Sequence, residues 1–298
     1  MGDEAEETAM SSPKSGPTVL VTGANSAIGS ASVDALLDRG AVVVATVRGD
    51  DAAAVVAAER ESAVAAGRLT IERLEVTDAD DCERVMARCR PTVVVNNAGA
   101  ALLGAVCDVD DDAARAQLEV MVLGPVRLAR SLIDVARHER SDGTELADRR
   151  VVNISSSLAS TPMPFTGWYA ASKSALDTVS ERLRVEAAPL GVAVVTVECG
   201  AVSTEAWDDA ADIVRRPSVD DGTEAGRRQW GRITSWLEPR FADPEEVGRR
   251  VASVALDPSP PPVTRVGFGS RLGLASRLVP APVRDLLGRT VFRLGRAR

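Results

Sequence analysis

The sequence predicts an α/β fold, a doubly wound and mostly parallel sheet of about seven strands with helices on both faces. Strand-like and helix-like segments alternate along the chain, as they do in parallel sheets. Unbroken apolar segments such as 93–95 suit strands that helices cover on both faces. We therefore expect one Rossmann-like domain, in which ligands sit outside the carboxyl ends of the strands.

The predicted elements follow one another in a regular order. Strands are short apolar runs rich in β-branched residues, and helices are the longer segments between them. The predicted strands are 18–22, 41–47, 69–76, 92–95, 151–155, 192–198 and 263–266. The predicted helices are 27–39, 51–66, 79–88, 110–137 and 169–187.

Three segments flank or interrupt this pattern. Residues 1–16 are rich in Pro, Gly, Ser and acids, which predicts a disordered leader before a domain at 17–270. Within that domain, 204–243 is expected to cover the substrate. In 271–298, apolar residues recur at helical spacing among arginines, which predicts a basic amphipathic helical tail.

Composition excludes several classes of function. The chain is 45% hydrophobic and 26% charged, as a globular protein is, and its net charge of −8 argues against nucleic acid as a partner. No apolar stretch is long enough to span a membrane, and the acidic start is not a signal peptide. The four cysteines lack metal-ligand spacing, so we expect reduced core thiols, no metal and a cytoplasmic protein.

The turn after the first strand predicts a dinucleotide site. It reads Thr22-Gly23-Ala24-Asn25-Ser26-Ala27-Ile28-Gly29. A helix that starts here directs backbone N–H groups and its positive dipole end at a pyrophosphate. Gly23 permits the tight turn, and small residues at 27 and 29 allow close backbone approach. Many helices start at such turns without binding anything, but the position in a first βα unit favours binding.

Arg48, at the end of the second strand, favours NADP over NAD. An acid at this edge holds the ribose 2′-hydroxyl of NAD, whereas an arginine accommodates the 2′-phosphate of NADP. Val47 occupies the expected acid position, although Asp50 and Asp51 are close enough to keep NAD open.

Tyr169 and Lys173 form the most specific chemical signal. Tyr169 is the only tyrosine, and the other lysine, Lys14, lies in the leader. Residues at i and i+4 share a helix face, and a nearby cation stabilises a phenolate. We therefore expect Lys173, together with the positive nicotinamide ring of the cofactor, to lower the pKa of Tyr169 from about 10 towards neutrality. Such a phenol is a general acid/base for a carbonyl, with hydride supplied by a cofactor.

The chain resembles the short-chain dehydrogenase/reductases, in the branch with the T-G-x-x-x-G-x-G motif. The resemblance covers about 17–270 and rests on motifs in the proper order. These motifs are Thr22–Gly29, Asn96-Asn97-Ala98-Gly99, Ile154-Ser155-Ser156, Tyr169-x-x-x-Lys173, and Gly200 with Thr204.

The resemblance implies roles for individual residues. Ser156, Tyr169 and Lys173 would be catalytic. Ser156 is favoured over its neighbours Ser155 and Ser157 because it stands thirteen residues before Tyr169. Asn96–Gly99 would steady the sheet, and Thr204 would fix the nicotinamide carboxamide. The implied cofactor contacts are Thr22, Gly23, Asn25, Ser26, Ile28, Gly29, Arg48, Glu75, Val76, Asn97, Ala98, Gly99, Tyr169, Lys173, Gly200, Val202 and Thr204.

Four residues depart from the family pattern. Met121 stands where an asparagine helps to hold a water of the proton path, so turnover is in question more than binding. Ala27 replaces a glycine, Glu75 replaces the aspartate that contacts adenine, and Cys199 replaces a proline.

The leading hypothesis is an NADP(H)-dependent oxidoreductase that interconverts an alcohol and a carbonyl on a fairly apolar small molecule. Trp207, Trp230 and Trp236 in the covering segment, with Trp168, Met163 and Phe165, would form an apolar wall, although core packing is the commoner fate of aromatics. A catalytically weakened sensor or scaffold and an enzyme for double-bond reduction are the alternatives. The family implies a dimer or tetramer. The tail could lie on an anionic membrane, cover the cleft, pack on a second subunit or dock on its own domain.

Overall fold

The computed structural model describes residues 16–144, 147–204, 221–271, 276 and 278–292, with only the backbone course given for 221–227. Seven parallel strands form one sheet in the order β3-β2-β1-β4-β5-β6-β7. The strands are β1 (Thr18–Thr22), β2 (Val42–Val47), β3 (Leu69–Arg73), β4 (Val93–Asn96), β5 (Arg149–Ser156), β6 (Val192–Cys199) and β7 (Val263–Val266). This doubly wound order, reversing between β1 and β4, confirms the predicted fold class.

Helices cover both faces of the sheet. The helices are α1 (Ala27–Asp38), α2 (Asp50–Ala58), α3 (Glu61–Ala65), α4 (Ala79–Cys89), α5 (Asp111–Leu118), α6 (Gly124–Ser141), α7 (Gly167–Ala187), α8 (Asp221–Leu237), α9 (Pro244–Leu256) and α10 (Ala281–Val291). One apolar core lies between the sheet and α1, α2 and α9, and the other between the sheet and α4 and α6. Valine-rich strands bury both faces, which is why they show no polar alternation.

Two predicted helices are interrupted. The helix expected at 110–137 consists of α5 and α6, joined by a π-helical segment, Glu119–Leu123, and it continues to Ser141. The helix expected at 51–66 divides at Arg60, because its guanidinium leaves the helix to pair with Asp34 at 2.6 Å. The first interruption places Met121 at an irregular turn beside the carboxyl ends of the strands.

Strand β5 begins two residues earlier than predicted. Arg149 and Arg150 are both buried in it, a position that sequence reasoning assigns to apolar residues. Arg149 pairs with Glu139, and Arg150 donates to the carbonyl oxygens of Val254 and Ala255 at 2.9 and 2.7 Å. Pairing of the buried charges allows the strand to include them.

The prediction of four core thiols is wrong for one cysteine. Cys82 and Cys199 are buried and Cys89 is half-buried, whereas Cys107 is exposed in a 3₁₀ turn before α5. Among the residues that the structure describes, no group of His, Cys, Asp and Glu is arranged to hold a metal ion.

The predicted tail contains a helix, α10, that turns most of its apolar residues outward. Leu286 and Leu287 are 63% and 54% exposed, whereas Phe292, just after the helix, is buried. None of the described helices is long and apolar enough to cross a membrane. The predicted leader, apart from Gly16, and the end of the tail at 293–298 lie outside the described residues.

Candidate active site

A cleft of about 360 Å³ opens at the carboxyl ends of the strands. Parallel strands converge at this edge, and the reversal of strand order beside β1 leaves room for a ligand. The three predicted catalytic side chains line it: Ser156 from the end of β5, and Tyr169 and Lys173 from the first turns of α7. Of the predicted cofactor residues, these also line it: Ser26, Ile28, Asn97, Gly99, Gly200, Val202 and Thr204.

The loop between β1 and α1 is closely packed. Gly23 has a φ of +63°, and a Cβ at residue 29 would lie 2.2 Å from the Gly23 carbonyl oxygen. Ser26 caps α1 by accepting from the Gly29 N–H at 3.2 Å. The first turn of α1 carries no acid, so its positive end is available to an anion. These features fit the pyrophosphate of a dinucleotide.

Side-chain hydrogen bonds tie this loop to the end of β4. The Asn97 amide donates to the carbonyl oxygens of Thr22 and Gly23 at 2.9 and 3.1 Å, and to Ser26 Oγ at 3.1 Å. Thr22 Oγ1 accepts from the N–H groups of Asn97 and Ala98 at 3.0 and 2.9 Å. The loop is therefore fixed before any ligand binds.

Ser156, Tyr169 and Lys173 lie together on one side of the cleft. Ser156 Oγ accepts from the Leu158 N–H at 3.2 Å, and a hydrogen bond joins its hydroxyl to the Tyr169 phenol. Lys173 Nζ donates to the Ile154 carbonyl oxygen at 2.8 Å and stands 5.9 Å from the centre of the Tyr169 ring. This fixed ammonium retains two more N–H donors for a ligand.

The predicted lowering of the Tyr169 pKa is wrong for the protein groups alone. Burial raises the pKa of Tyr169 to about 12, and the hydrogen bond from Ser156 only partly offsets it. Burial also lowers the pKa of Lys173 to about 8. Desolvation of the phenolate is therefore the larger effect, although the ammonium stands near the ring.

Met121 and Cys199, two departures from the family pattern, both line the cleft. Met121 is buried and packs on Gly99, since a Cβ at residue 99 would lie 2.6 Å from Met121 Cε. Burial raises the pKa of the Cys199 thiol to about 12, so it is protonated at neutral pH.

Arg48 lies in a separate, open depression at the ends of β2 and β3. Arg73, Arg84 and Arg88 share this depression with Glu72, Glu75 and Asp81. Within the described part of the chain, Arg48 has no carboxylate partner, whereas Asp50 pairs with Arg73 at 3.4 Å. The Glu75 carboxylate accepts from the N–H and hydroxyl of Thr77 at 3.1 and 2.9 Å.

Several predicted cofactor residues do not line the main cleft. Part of this set packs within or against the loop between β1 and α1, namely Thr22, Gly23, Gly29 and Ala98. Asn25 is exposed, and Val76 is buried against Gly124. Arg48 and Glu75 occupy the second depression.

Trp230 lines the cleft as a member of an aromatic cluster whose other two rings, Phe165 and Phe292, are not part of the lining. Trp230 of α8 is 1% exposed and stacks on Phe292, with ring centres 6.2 Å apart and planes at 30°. Phe165 meets Trp230 edge to face at 6.2 Å. Trp236 is exposed and stacks with Arg240, and Trp207 lies outside the described residues. Of the four predicted tryptophans, Trp230 lines the cleft, whereas Trp168 donates to the Val106 carbonyl oxygen at 3.3 Å.

Sequence reasoning missed Phe268, Leu103 and Leu237, which also line the cleft. Phe268 follows the end of β7, the neighbour of β6. The rule that ligands sit beyond the strand ends, applied to β7, would have found it. No local pattern indicates Leu103 or Leu237.

The sheet order, the capped glycine loop and the grouping of Ser156, Tyr169 and Lys173 are together typical of dinucleotide-binding oxidoreductases. The sequence profile of the short chain dehydrogenases matches residues 17–213. The chain belongs to the short-chain dehydrogenase/reductase family, as the motifs predicted.

Individual proteins show the same relationship. An uncharacterized oxidoreductase, YusZ, of Bacillus subtilis (strain 168) is 28% identical over 246 residues, covering 79% of this chain and 83% of YusZ. An NADPH-dependent 3-dehydrocapnine reductase of Ornithobacterium rhinotracheale is 28% identical over 243 residues, covering 79% and 80%. The crystal structure of a short-chain dehydrogenase from Streptomyces avermitilis has a TM-score of 0.72 at 28% identity, covering 93% and 96%.

Proposed function

We propose that the protein is an NADP(H)-dependent oxidoreductase that interconverts an alcohol and a carbonyl on a fairly apolar small molecule. The observation that carries this proposal is the grouping of Ser156, Tyr169 and Lys173 on one wall of a cleft whose other wall is largely apolar. Lys173 is the one charged side chain among the described residues that line it. An uncharged substrate suits such a surface.

Each catalytic side chain has a distinct task. Ser156 Oγ accepts from the Leu158 N–H, and its hydroxyl bonds the Tyr169 phenol, so a substrate oxygen that takes the place of this bond is held beside Tyr169. Tyr169 is protonated at neutral pH because its pKa is raised, and it donates this proton as the carbonyl oxygen gains electrons. Lys173 holds its position through Ile154 and presents N–H donors to the ribose. NADPH, when bound, supplies the hydride that reduces the carbonyl carbon.

Three observations support NADP as the cofactor. Arg48 is exposed at the end of β2 and has no carboxylate partner among the described residues, as a 2′-phosphate ligand requires. Asp50, the nearest acid on the next helix, already pairs with Arg73. One of the similar proteins is an NADPH-dependent reductase. Ser26, Ile28, Asn97, Gly200, Val202 and Thr204 would line the rest of the cofactor site.

The test is a panel of lipophilic ketones with NADPH and alcohols with NADP⁺. We expect turnover that falls by at least about 100-fold in Tyr169→Phe, with NADPH binding unchanged, because general acid catalysis contributes 10²–10⁴-fold. Arg48→Ala should weaken NADPH binding and leave NADH binding unchanged. Undiminished turnover in Tyr169→Phe would overturn the acid/base role.

Met121 favours a second candidate, a nucleotide-binding sensor or scaffold with weakened catalysis. Its buried thioether offers only a weak acceptor at the position where the family has an asparagine. NADPH binding without turnover across the panel would support this candidate. Recovery of turnover in Met121→Asn would then identify Met121 as the cause.

Assembly and location complete the proposal. We place the protein in the cytoplasm as a dimer or tetramer through α6 and α7, where Val135 and Val185 are 49% and 74% exposed. The apolar face of α10, with Arg284 and Arg289, supports peripheral contact with an anionic membrane. Light scattering tests the proposed oligomeric state. Cosedimentation with anionic and neutral vesicles tests the second, with Leu286→Asp as the variant expected to lose binding.

A further inference from the structure

The polar atoms of the cleft are unequally satisfied. Thr166 Oγ1 donates to the Met163 carbonyl oxygen at 2.7 Å, and Lys173 Nζ donates to Ile154. Trp230 Nε1, in contrast, is buried and has no hydrogen-bond partner among the described residues. Ser155 Oγ is the other unpartnered atom of the lining, and it adjoins the catalytic Ser156.

The surroundings of Trp230 leave its N–H few partners within the protein. Phe292 stacks on the indole and Phe165 packs edge to face, and neither ring carries a conventional acceptor. Met163, Leu103, Ala105 and Ile233 complete the cluster with apolar atoms. An indole N–H buried without an acceptor is unfavourable, and Trp230 is the member of this ring cluster that lines the cleft.

We propose that Trp230 is a specificity-determining residue whose indole N–H donates a hydrogen bond to a second oxygen of the substrate, apart from the reacting carbonyl. This proposal rests on the proposed function and narrows its substrate class. The second oxygen is an uncharged acceptor, such as an ether, ester or ketone oxygen, because a neutral N–H among aromatic rings does not offset the desolvation of a carboxylate. The substrate is therefore an apolar ketone or alcohol with one further oxygen held away from Ser156 and Tyr169.

The experiment uses a series of long-chain alkyl ketones in which an ether oxygen replaces one methylene, moved one position at a time. With NADPH, wild-type protein should prefer one oxygen position over the all-carbon ketone by about tenfold in kcat/KM, the size of a neutral hydrogen bond. Trp230→Phe keeps an aromatic ring but removes the donor, so this preference should disappear.

Two variants separate the donor from packing. Trp236→Phe makes the same substitution at an exposed site outside the cleft and should leave the preference unchanged. Phe165→Leu loosens the cluster but keeps the Trp230 N–H, so it should lower activity on both members of a pair by the same factor. Equal activity of wild-type protein on every pair, or a preference that survives in Trp230→Phe, would overturn the assignment.

A binding measurement separates this proposal from the proposed function. In protein with ¹⁵N-labelled tryptophan, the Trp230 indole signal is identified by its absence in Trp230→Phe. The preferred ether ketone, added with NADP⁺, should move that proton signal downfield, whereas the all-carbon ketone should not. This shift without any turnover would contradict the proposed function and support the hydrogen bond. No shift with any ketone would overturn the role of Trp230.

Discussion

The two walls of the cleft are held by different forces. In the polar wall, Asn97, Thr22 and Ser26 join two neighbouring loops through hydrogen bonds of 2.9–3.1 Å. In the aromatic wall, Phe165, Trp230 and Phe292 come from three distant parts of the chain and meet through ring packing. Directional bonds fix a shape that must match one cofactor, whereas apolar packing can be changed in size without leaving polar groups unpaired.

Truncating a side chain of the aromatic wall, which consists of Phe165, Trp230 and Phe292, should have the largest effect on stability. Trp230→Ala removes a side chain that is 1% exposed, and such truncations cost about 3–5 kcal/mol in free energy of unfolding. Trp236→Ala, at a site that is 58% exposed, should cost under about 1 kcal/mol through its loss of Arg240 stacking. Urea denaturation of both variants measures the difference. Equal losses would mean that the aromatic wall adds little to stability.

Adding an atom to the closely packed polar wall, the hydrogen-bonded loop between β1 and α1, should have the second largest effect on stability. Gly29→Ala would place a Cβ 2.2 Å from the Gly23 carbonyl oxygen, so the backbone has to shift, at about 3 kcal/mol, the upper end for overpacked sites. Gly49→Ala is the matched control, because its Cβ would meet nothing within 4 Å, and it should change stability by less than about 0.5 kcal/mol. The same denaturation measurement applies. A tolerated Gly29→Ala would show that the loop can yield.

Removing one acceptor from the polar wall tests the hydrogen bonds themselves. Thr22→Val keeps the shape but leaves the Asn97 and Ala98 N–H groups without their acceptor, and we expect a loss of about 2 kcal/mol. Thr46, its partner in the register of β1 and β2, only donates, to the Val21 carbonyl oxygen at 3.2 Å. Thr46→Val should therefore cost less, and equal costs would contradict the role of the acceptor.

The contrast between the walls also explains what could be predicted from the sequence. The glycine loop, Asn97 and the Tyr169–Lys173 pair carry local spacing that follows directly from backbone geometry, so their positions were found without coordinates. The packing of Phe292 on Trp230 joins residues 62 positions apart and leaves no local pattern. Aromatic residues were expected near the substrate, but which one reaches the cleft depends on tertiary packing.

The fold could be predicted for a similar reason, and the errors of that prediction have a common cause. Valine-rich strands specify a covered parallel sheet, whereas the division at Arg60 and the early start of β5 depend on ion pairs with distant carboxylates or on distant carbonyls. The direction of the Tyr169 pKa was missed because spacing shows the neighbouring charge but not the burial.

Lys173 lines the cleft, and its titration should make the stability of the protein depend on pH. Its pKa is near 8 in the folded protein and about 10.4 in an unfolded chain. Below pH 8 the lysine is charged in both states, and burial of that charge lowers stability. As pH rises above 8, the unfolded state holds more protons on this lysine, so Lys173 alone should raise the free energy of unfolding by about 1 kcal/mol for each pH unit up to pH 10.

Lys173→Met lacks this titration, so the difference in free energy of unfolding between wild type and variant should grow from pH 8 to pH 10. Tyr169, whose pKa is raised to about 12, acts in the opposite direction only above its unfolded pKa of about 10. The buried thiols of Cys82, Cys89 and Cys199, whose pKa values are raised to about 11, 11 and 12, also oppose the lysine above their unfolded pKa of about 8.5, but both proteins carry them, so the difference isolates Lys173. Parallel stability curves for the two proteins between pH 8 and 10 would show that Lys173 is better solvated than its 6% exposure implies.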